Sequence, residues 1–207
     1  GLSKYTGVLK PFNYELFRES LRDHNMSALA EQFTMASGKW QVIQKKEEIE
    51  SYLRTPGFGG YHLLQLNDFP GQGTAPVGVV DAFWDPKPYV TANEFRRFQS
   101  AGVPLLRTAS FTWTNDEIFA ADIEFAHFGS KPLEAAKITW TLQLPGGKIW
   151  KQGSFAKLSI PLGNPVKLGS LNIALENIQQ ATRLILTVRV EGTDYSNHWS
   201  IWVYPKQ

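Results

Sequence analysis

The spacing of apolar side chains changes period once along this chain, close to residue 100. In the first hundred residues the spacing is helical. Phe12 precedes an N-cap at Asn13 and staples onto Phe17, so a helix is predicted over residues 14–24 with Phe17 and Leu21 on one face. Leu29, Phe33, Ala36, Trp40 and Ile43 then recur every three or four positions, the stripe of a buried helix, and Gly38 divides that stretch into two helices. Residues 44–53 carry Lys45, Lys46, Glu47, Glu48 and Glu50 on a solvated face, with Ile49 and Leu53 one turn apart. Thr55-Pro56-Gly57 stops the helix. The short apolar run 61–66 follows two glycines and reads as a buried strand. Residues 67–88 fit no regular element, and a loop of that length inside a compact domain is usually functional. Thr91 with Glu94 three positions on starts one more helix over 91–100.

From Leu105 onward the period is two. Phe119, Ala121, Ile123 and Phe125 share one face and Asp122 and Glu124 the other. The same alternation appears in 138–144, 184–190 and 199–203, with a further strand at 110–114. Turn clusters separate these runs at Asn115-Asp116, Gly129 to Pro132, Pro145 to Gly147, Gly163 to Pro165 and Glu191 to Asp194. About seven short strands in roughly 100 residues predict an immunoglobulin-like antiparallel β-sandwich. The domain division is therefore 1–103 and 104–207. The first part has helices but only one strand, and a lone strand cannot satisfy its own backbone hydrogen bonds. It reads as the end of a larger α/β domain whose other strands precede it.

Composition narrows the function. The chain has 21 Lys and Arg against 19 Asp and Glu, a net charge of +2, and the basic residues are scattered singly. No nucleic-acid partner is indicated. With no cysteine there is no disulfide, thiolate metal site or cysteine nucleophile. No apolar run reaches the ~20 residues of a membrane span, and GLSKYTG lacks the features of a signal peptide. His24, His62, His127 and His198 never stand three or four apart, so no helix-borne metal pair exists. There is no Gly-x-Ser-x-Gly elbow, and Gly71-Gln72-Gly73 lacks the rest of a phosphate loop. No metal and no cofactor is expected.

Carbohydrate chemistry asks for an aromatic plate under a sugar ring with amides and carboxylates around it. Gln65, Asn67, Asp68, Gln72, Asp81, Phe83 and Trp84 crowd into the segment just past the expected strand, and in α/β barrels the strand end is the working end. Barrel catalysis draws its two carboxylates from several strand ends, and this chain supplies one. The chain alone is expected to hydrolyse nothing.

The residues that support a family resemblance are KYTGVLKP (4–11), ASGK (36–39), RTPGFGGYHLLQLNDFPGQGTAPVGVVDAFWDPK (54–87) and TANEFRRF (91–98), with EGTDYSNHWSIWVYP (191–205) near the far end. Together they resemble the C-terminal portion of bacterial glycoside hydrolases of the family 2, β-galactosidase-like type. The resemblance implies the end of a catalytic (β/α)8 barrel followed by its β-sandwich, a retaining mechanism, and catalytic glutamates upstream, so that no catalytic residue lies in this chain. It implies that residues 61–66 match the eighth barrel strand and that Gln65, Asn67 and Asp68 line the sugar pocket. Gln72 and Trp84 are added from their position and chemistry. The partners implied are an oligo- or polysaccharide substrate and the upstream barrel segment of the same protein, with self-association where that segment is missing, and the compartment implied is periplasmic or extracellular. The alternative is a non-catalytic carbohydrate-binding or structural sandwich, with Trp113, Trp150, Trp202 and Tyr204 as candidate aromatics. Of these, Trp202 and Tyr204 share the face opposite Trp199, Ile201 and Val203.

Overall fold

The computed structural model describes residues 2–206. The chain divides into two compact units. One comprises Gly1–Glu48 and Gly60–Phe95, the other Ile49–Gly59 and Arg96–Gln207. The second unit thus begins ahead of the 103/104 boundary suggested by the change of period, and it takes in the last turn of a helix.

The first unit is built on helices α1 (Phe12–Asp23), α2 (Ala30–Leu53) and α3 (Ala92–Arg96) with the long segment 60–91 between the last two. Four expectations are corrected here. Residues 61–66 form no strand, and Leu64 is 86% exposed; among the described residues no barrel fragment is evident. The cause is the one that makes a lone strand anomalous, since nothing among the described residues offers it a ladder on both sides. Helix α2 runs unbroken through Gly38, because that glycine is a packing residue: a Cβ there would stand 2.3 Å from the Tyr89 ring. Asn13 is not an N-cap but lies inside α1, and Phe12 and Phe17 are both exposed. Finally, the apolar stripe of α2 is not buried; Phe33, Trp40 and Ile43 face solvent, Trp40 being 59% exposed. The expected capping box of α3 is present. Thr91 N–H donates to Glu94 Oε2 (2.8 Å), and Glu94 N–H donates to Thr91 Oγ1 (3.2 Å).

The second unit is the β-sandwich. Its strands are β1 (Gly102–Thr108), β2 (Thr112–Thr114), β3 (Ile118–His127), β4 (Leu133–Gln143), β5 (Ile149–Ile160), β6 (Gly163–Ala174), β7 (Thr182–Val190) and β8 (Ser196–Tyr204). One sheet has the order β1-β3-β6 and the other β2-β8-β7-β4-β5. All pairings are antiparallel except β2 with β8, which is parallel. The inward positions of the alternating strands make the core: Phe119, Ile123, Phe125, Ile138, Leu142, Leu184, Leu186, Val188, Trp199, Ile201 and Val203 are all buried. Three strands escape the alternation rule. β1 is buried on both faces from Gly102 to Leu106 and shows no period at all. β5 and β6 are edge strands with lysines, serines and glycines among their apolar residues, and the expected turn at Gly163 to Pro165 is the start of β6.

The outer face of β1 is covered from within the same unit. Val103 and Leu105 pack with Ala126 against Leu53, in the last turn of α2. Glu50, in that turn, is fully buried, with Asn197 Nδ2 donating to its Oε1 (2.7 Å) and Trp199 Nε1 to its Oε2 (2.8 Å). Arg54 Nη1 lies 3.4 Å from the same carboxylate and also donates to the Leu106 carbonyl (3.2 Å). Several donors thus offset the desolvation of this buried carboxylate.

Candidate functional site

The segment after Leu66 is a closed loop, tied by its own backbone. Asp68 N–H donates to the Val80 carbonyl (3.1 Å), and Phe69 and Ala75 exchange both backbone hydrogen bonds (3.1 and 2.9 Å). Inside it lies the carboxylate of Asp68, fully buried. Its Oδ1 accepts from Lys87 Nζ (2.6 Å) and from Gly78 N–H (2.9 Å), and its Oδ2 accepts from the Tyr14 hydroxyl (2.9 Å). Gly78 is required by the close approach, since a Cβ would fall 2.3–2.6 Å from the backbone of Asn67 and Asp68.

Both long helices hold this loop. From α1, Asn13 Nδ2 donates to the carbonyls of Gln72 and Thr74 (both 3.0 Å). From α2, Gln41 Nε2 and Lys45 Nζ both donate to the Val77 carbonyl (2.7 and 2.8 Å). Burial, with the hydrogen bond to Asp68 adding to it, pushes the Tyr14 phenol well above its ordinary range. Burial first, and then the neighbouring Lys87 charge, pulls the Lys45 ammonium down.

The next turn is separate. Asp81 Oδ1 accepts from the N–H groups of Phe83 (2.8 Å) and Asp85 (3.0 Å), an Asx-type turn, and Lys4 pairs with Asp81 and Asp85. Tyr5 meets Phe83 edge to face at 4.9 Å. This turn carries Trp84 at φ +68°, a residue 64% exposed.

The five candidate residues are therefore placed differently. Asn67 and Asp68 are brought together, Asn67 Nδ2 donating to the Asp68 carbonyl (3.0 Å). The carboxylate of Asp68 faces the inside of the loop. Gln72 is exposed at the loop tip with φ +55°, Gln65 is linked to Lys45 through its backbone carbonyl, and Trp84 stands alone on its turn. Sequence reasoning missed Tyr14, Gln41, Lys45 and Lys87. Lys87 closes the 54–87 motif and is the nearest cation downstream of Asp68, which is the one signal that pointed to it. Beside the loop, within the same unit, lies a mostly apolar cavity of about 480 Å³ lined by Tyr14, Phe17, Arg18, Leu21, Gln41 and Tyr89, among others. Among the described residues no three His, Asp or Glu side chains come together as a metal site, and no helix is long and apolar enough to cross a membrane.

On the sandwich, Trp202 and Tyr204 are exposed while Trp199, Ile201 and Val203 are buried, as the alternation predicts, and the Arg183 guanidinium lies 5.9 Å from the Trp202 ring centre. Trp113 is instead tied down: its indole N–H donates to the Ser110 carbonyl (3.0 Å) and its ring meets Phe119.

Residues 117–205 match a family model described as a domain of unknown function, DUF8488. No curated protein sequence matches the chain. Among solved structures, the exo-chitosanase CsxA of Amycolatopsis orientalis is similar over 81% of this chain with a TM-score of 0.55 and 14% identity. This chain spans 19% of that enzyme's length. The same chitosanase is known in complex with PNP-β-D-glucosamine. The β-glucuronidase of Parabacteroides merdae aligns over 50% of this chain and 13% of its own, at TM-score 0.34 and 12% identity. A CARDB domain from Pyrococcus furiosus aligns over 51% of this chain and 94% of its own, at TM-score 0.39 and 9% identity. The chitosanase similarity is one of fold: a sandwich together with part of the helical segment before it, as these occur within a much longer glycosidase.

Proposed function

We propose that this chain is the C-terminal part of a retaining β-glycosidase that hydrolyses O-glycosidic bonds, with its acid/base and nucleophile glutamates upstream and the sandwich bracing the catalytic domain. The observation that carries this reading is the solvent exposure of Phe12, Leu16 and Phe17 on α1 and of Phe33, Trp40 and Ile43 on α2. Helices of a free-standing domain turn such stripes inward, whereas helices of a barrel turn them onto strands. The absent occupant of those faces is the upstream barrel segment. The fold similarity to a chitosanase, which extends beyond the sandwich, supports the same reading.

Within it, the loop 67–80 borders the sugar pocket. Gln65, Asn67 and Gln72 offer amides to sugar hydroxyls and Trp84 offers the plate. Asp68 is the pin that keeps the loop in one shape, gripped by Lys87 and Tyr14. The substrate to assay first is a β-D-glucosaminide, and the parent protein is periplasmic or secreted.

The coding sequence ahead of Leu2 tests this directly. The expected finding is an in-frame segment of alternating strands and helices with a Glu at a strand end shortly before residues 4–11. A start codon or export signal directly before Leu2 would overturn the reading. Sugar binding by the sandwich face bearing Trp202 and Tyr204 would then lead, and retained polysaccharide affinity in Trp202→Ala would in turn remove that alternative.

A further inference from the structure

The consecutive strands β5 and β6 are edge strands of the two different sheets and touch each other across the sandwich. Between them lies a cleft of about 470 Å³, inside the ~300–1,000 Å³ range of small-molecule sites. Its shape comes from two glycines. Gly153 stands opposite Trp140 in the β4–β5 register, and a Cβ there would meet three indole atoms at 2.7–2.9 Å, so the indole occupies the space over that glycine. Gly169 of β6 likewise underlies the Phe155 ring of β5, with a Cβ meeting three ring atoms at 2.3–2.6 Å. Phe155 thereby spans from one sheet to the other and closes the inside of the cleft. Trp140 stays partly accessible at the cleft wall.

Around this ring stand polar groups of the kind that grip hydroxyls. Asn172 on β6, and Glu176 and Asn177 just after it, are exposed at the cleft rim, and Lys151 lies on the β5 side. Among the described residues the side chains of Asn172, Glu176 and Asn177 and the indole N–H of Trp140 have no hydrogen-bond partner, whereas the indole N–H groups of Trp113 and Trp199 are both engaged. β5 and β6 each pair on one side only, so each leaves one backbone edge outside its ladder.

We infer that this cleft is a carbohydrate-binding site, distinct from the 67–80 loop, that takes a short neutral oligosaccharide. The apolar face of a pyranose ring covers the indole of Trp140, and the hydroxyls are held by Asn172, Asn177 and Glu176. Neutral sugar fits better than a charged one, because Glu176 and Lys151 place opposite charges on the two rims and favour neither sign. The site belongs to the sandwich alone and does not rest on the presence of an upstream barrel.

The test is a titration of the isotope-labelled 207-residue chain with cellotriose and, separately, with N,N′,N″-triacetylchitotriose, following the seven indole N–H resonances by NMR. With at least one sugar, the Trp140 resonance is expected to move and saturate at concentrations of about 1 mM, an affinity usual for a single shallow site. The exposed double variant Asn172→Ala/Asn177→Ala should keep the spectrum of the folded chain and weaken binding by on the order of tenfold. Two results would overturn the proposal: no movement of the Trp140 resonance with either sugar at about 10 mM, or movement that centres on Trp202 and survives in the double variant.

Discussion

Asp68 shows how far a single carboxylate can be misjudged from its neighbours in sequence. Flanked by Asn67 and followed by a glycine-rich loop, it has the company of a substrate ligand. In the folded chain both of its oxygens are occupied by Lys87, Gly78 and Tyr14. Replacing it by Ala leaves the Lys87 ammonium and the Tyr14 hydroxyl without their acceptor. We expect a loss of about 3–5 kcal/mol, read from urea unfolding, in line with breaking a buried ion pair from one side. Tyr14 makes a second prediction with a definite sign. Burial, with the Asp68 hydrogen bond adding to it, raises its folded-state pKa above the ordinary phenol value, so its contribution to stability is fully present below that ordinary value and is lost as the pH climbs above it. Tyr14→Phe should flatten the alkaline fall in stability, and tyrosinate absorbance should report one phenol fewer that titrates only on unfolding. Gly38 was legible as a glycine but not as a contact. Gly38→Ala should gain up to about 1 kcal/mol of helix propensity yet destabilise the chain by about 1–3 kcal/mol net, because the Tyr89 ring has to move.

At the scale of elements, the strands with one buried face announced themselves. β3 as far as Phe125, β7 and β8 alternate because each has a core side and a solvent side, and their burial follows the alternation residue by residue. β1 did not, being covered on its second face by the last turn of α2, and the edge strands β5 and β6 were hidden by their polar and glycine residues. That last helical turn is also where Glu50 enters the sandwich. In sequence it is one acid in a charged run, indistinguishable from Glu47 or Glu48. Its burial depends on Asn197 and Trp199, nearly 150 residues later. Glu50→Ala should cost about 3 kcal/mol by orphaning two buried donors, measured as a lowered midpoint of the sandwich's unfolding transition.

For the whole molecule, the consequence of exposed apolar faces on α1 and α2 is association. The chain by itself is expected to bind a hydrophobic dye and to sediment above its monomer mass of 23.3 kDa, and the double variant Phe33→Lys/Trp40→Lys should restore the monomer. On p-nitrophenyl β-D-glucosaminide the chain alone should show no turnover, and hydrolysis by the protein extended upstream is the outcome that matches the proposed function.

The amino-acid sequence by itself determined what is local or periodic. The sandwich is written in two-residue alternation, the start of α3 in Thr91 and Glu94, and the loop in its glycines and prolines, because each depends on neighbours a few residues away. Tertiary structure alone decided what depends on a partner far along the chain. It turned residues 61–66 away from strand pairing for want of a ladder and carried α2 through Gly38 under Tyr89. It made Asp68 the inner pin of a loop and left the stripe of Phe33, Trp40 and Ile43 in water. Helical periodicity records that an apolar face exists; whether that face is covered depends on which surfaces the rest of the fold brings to it.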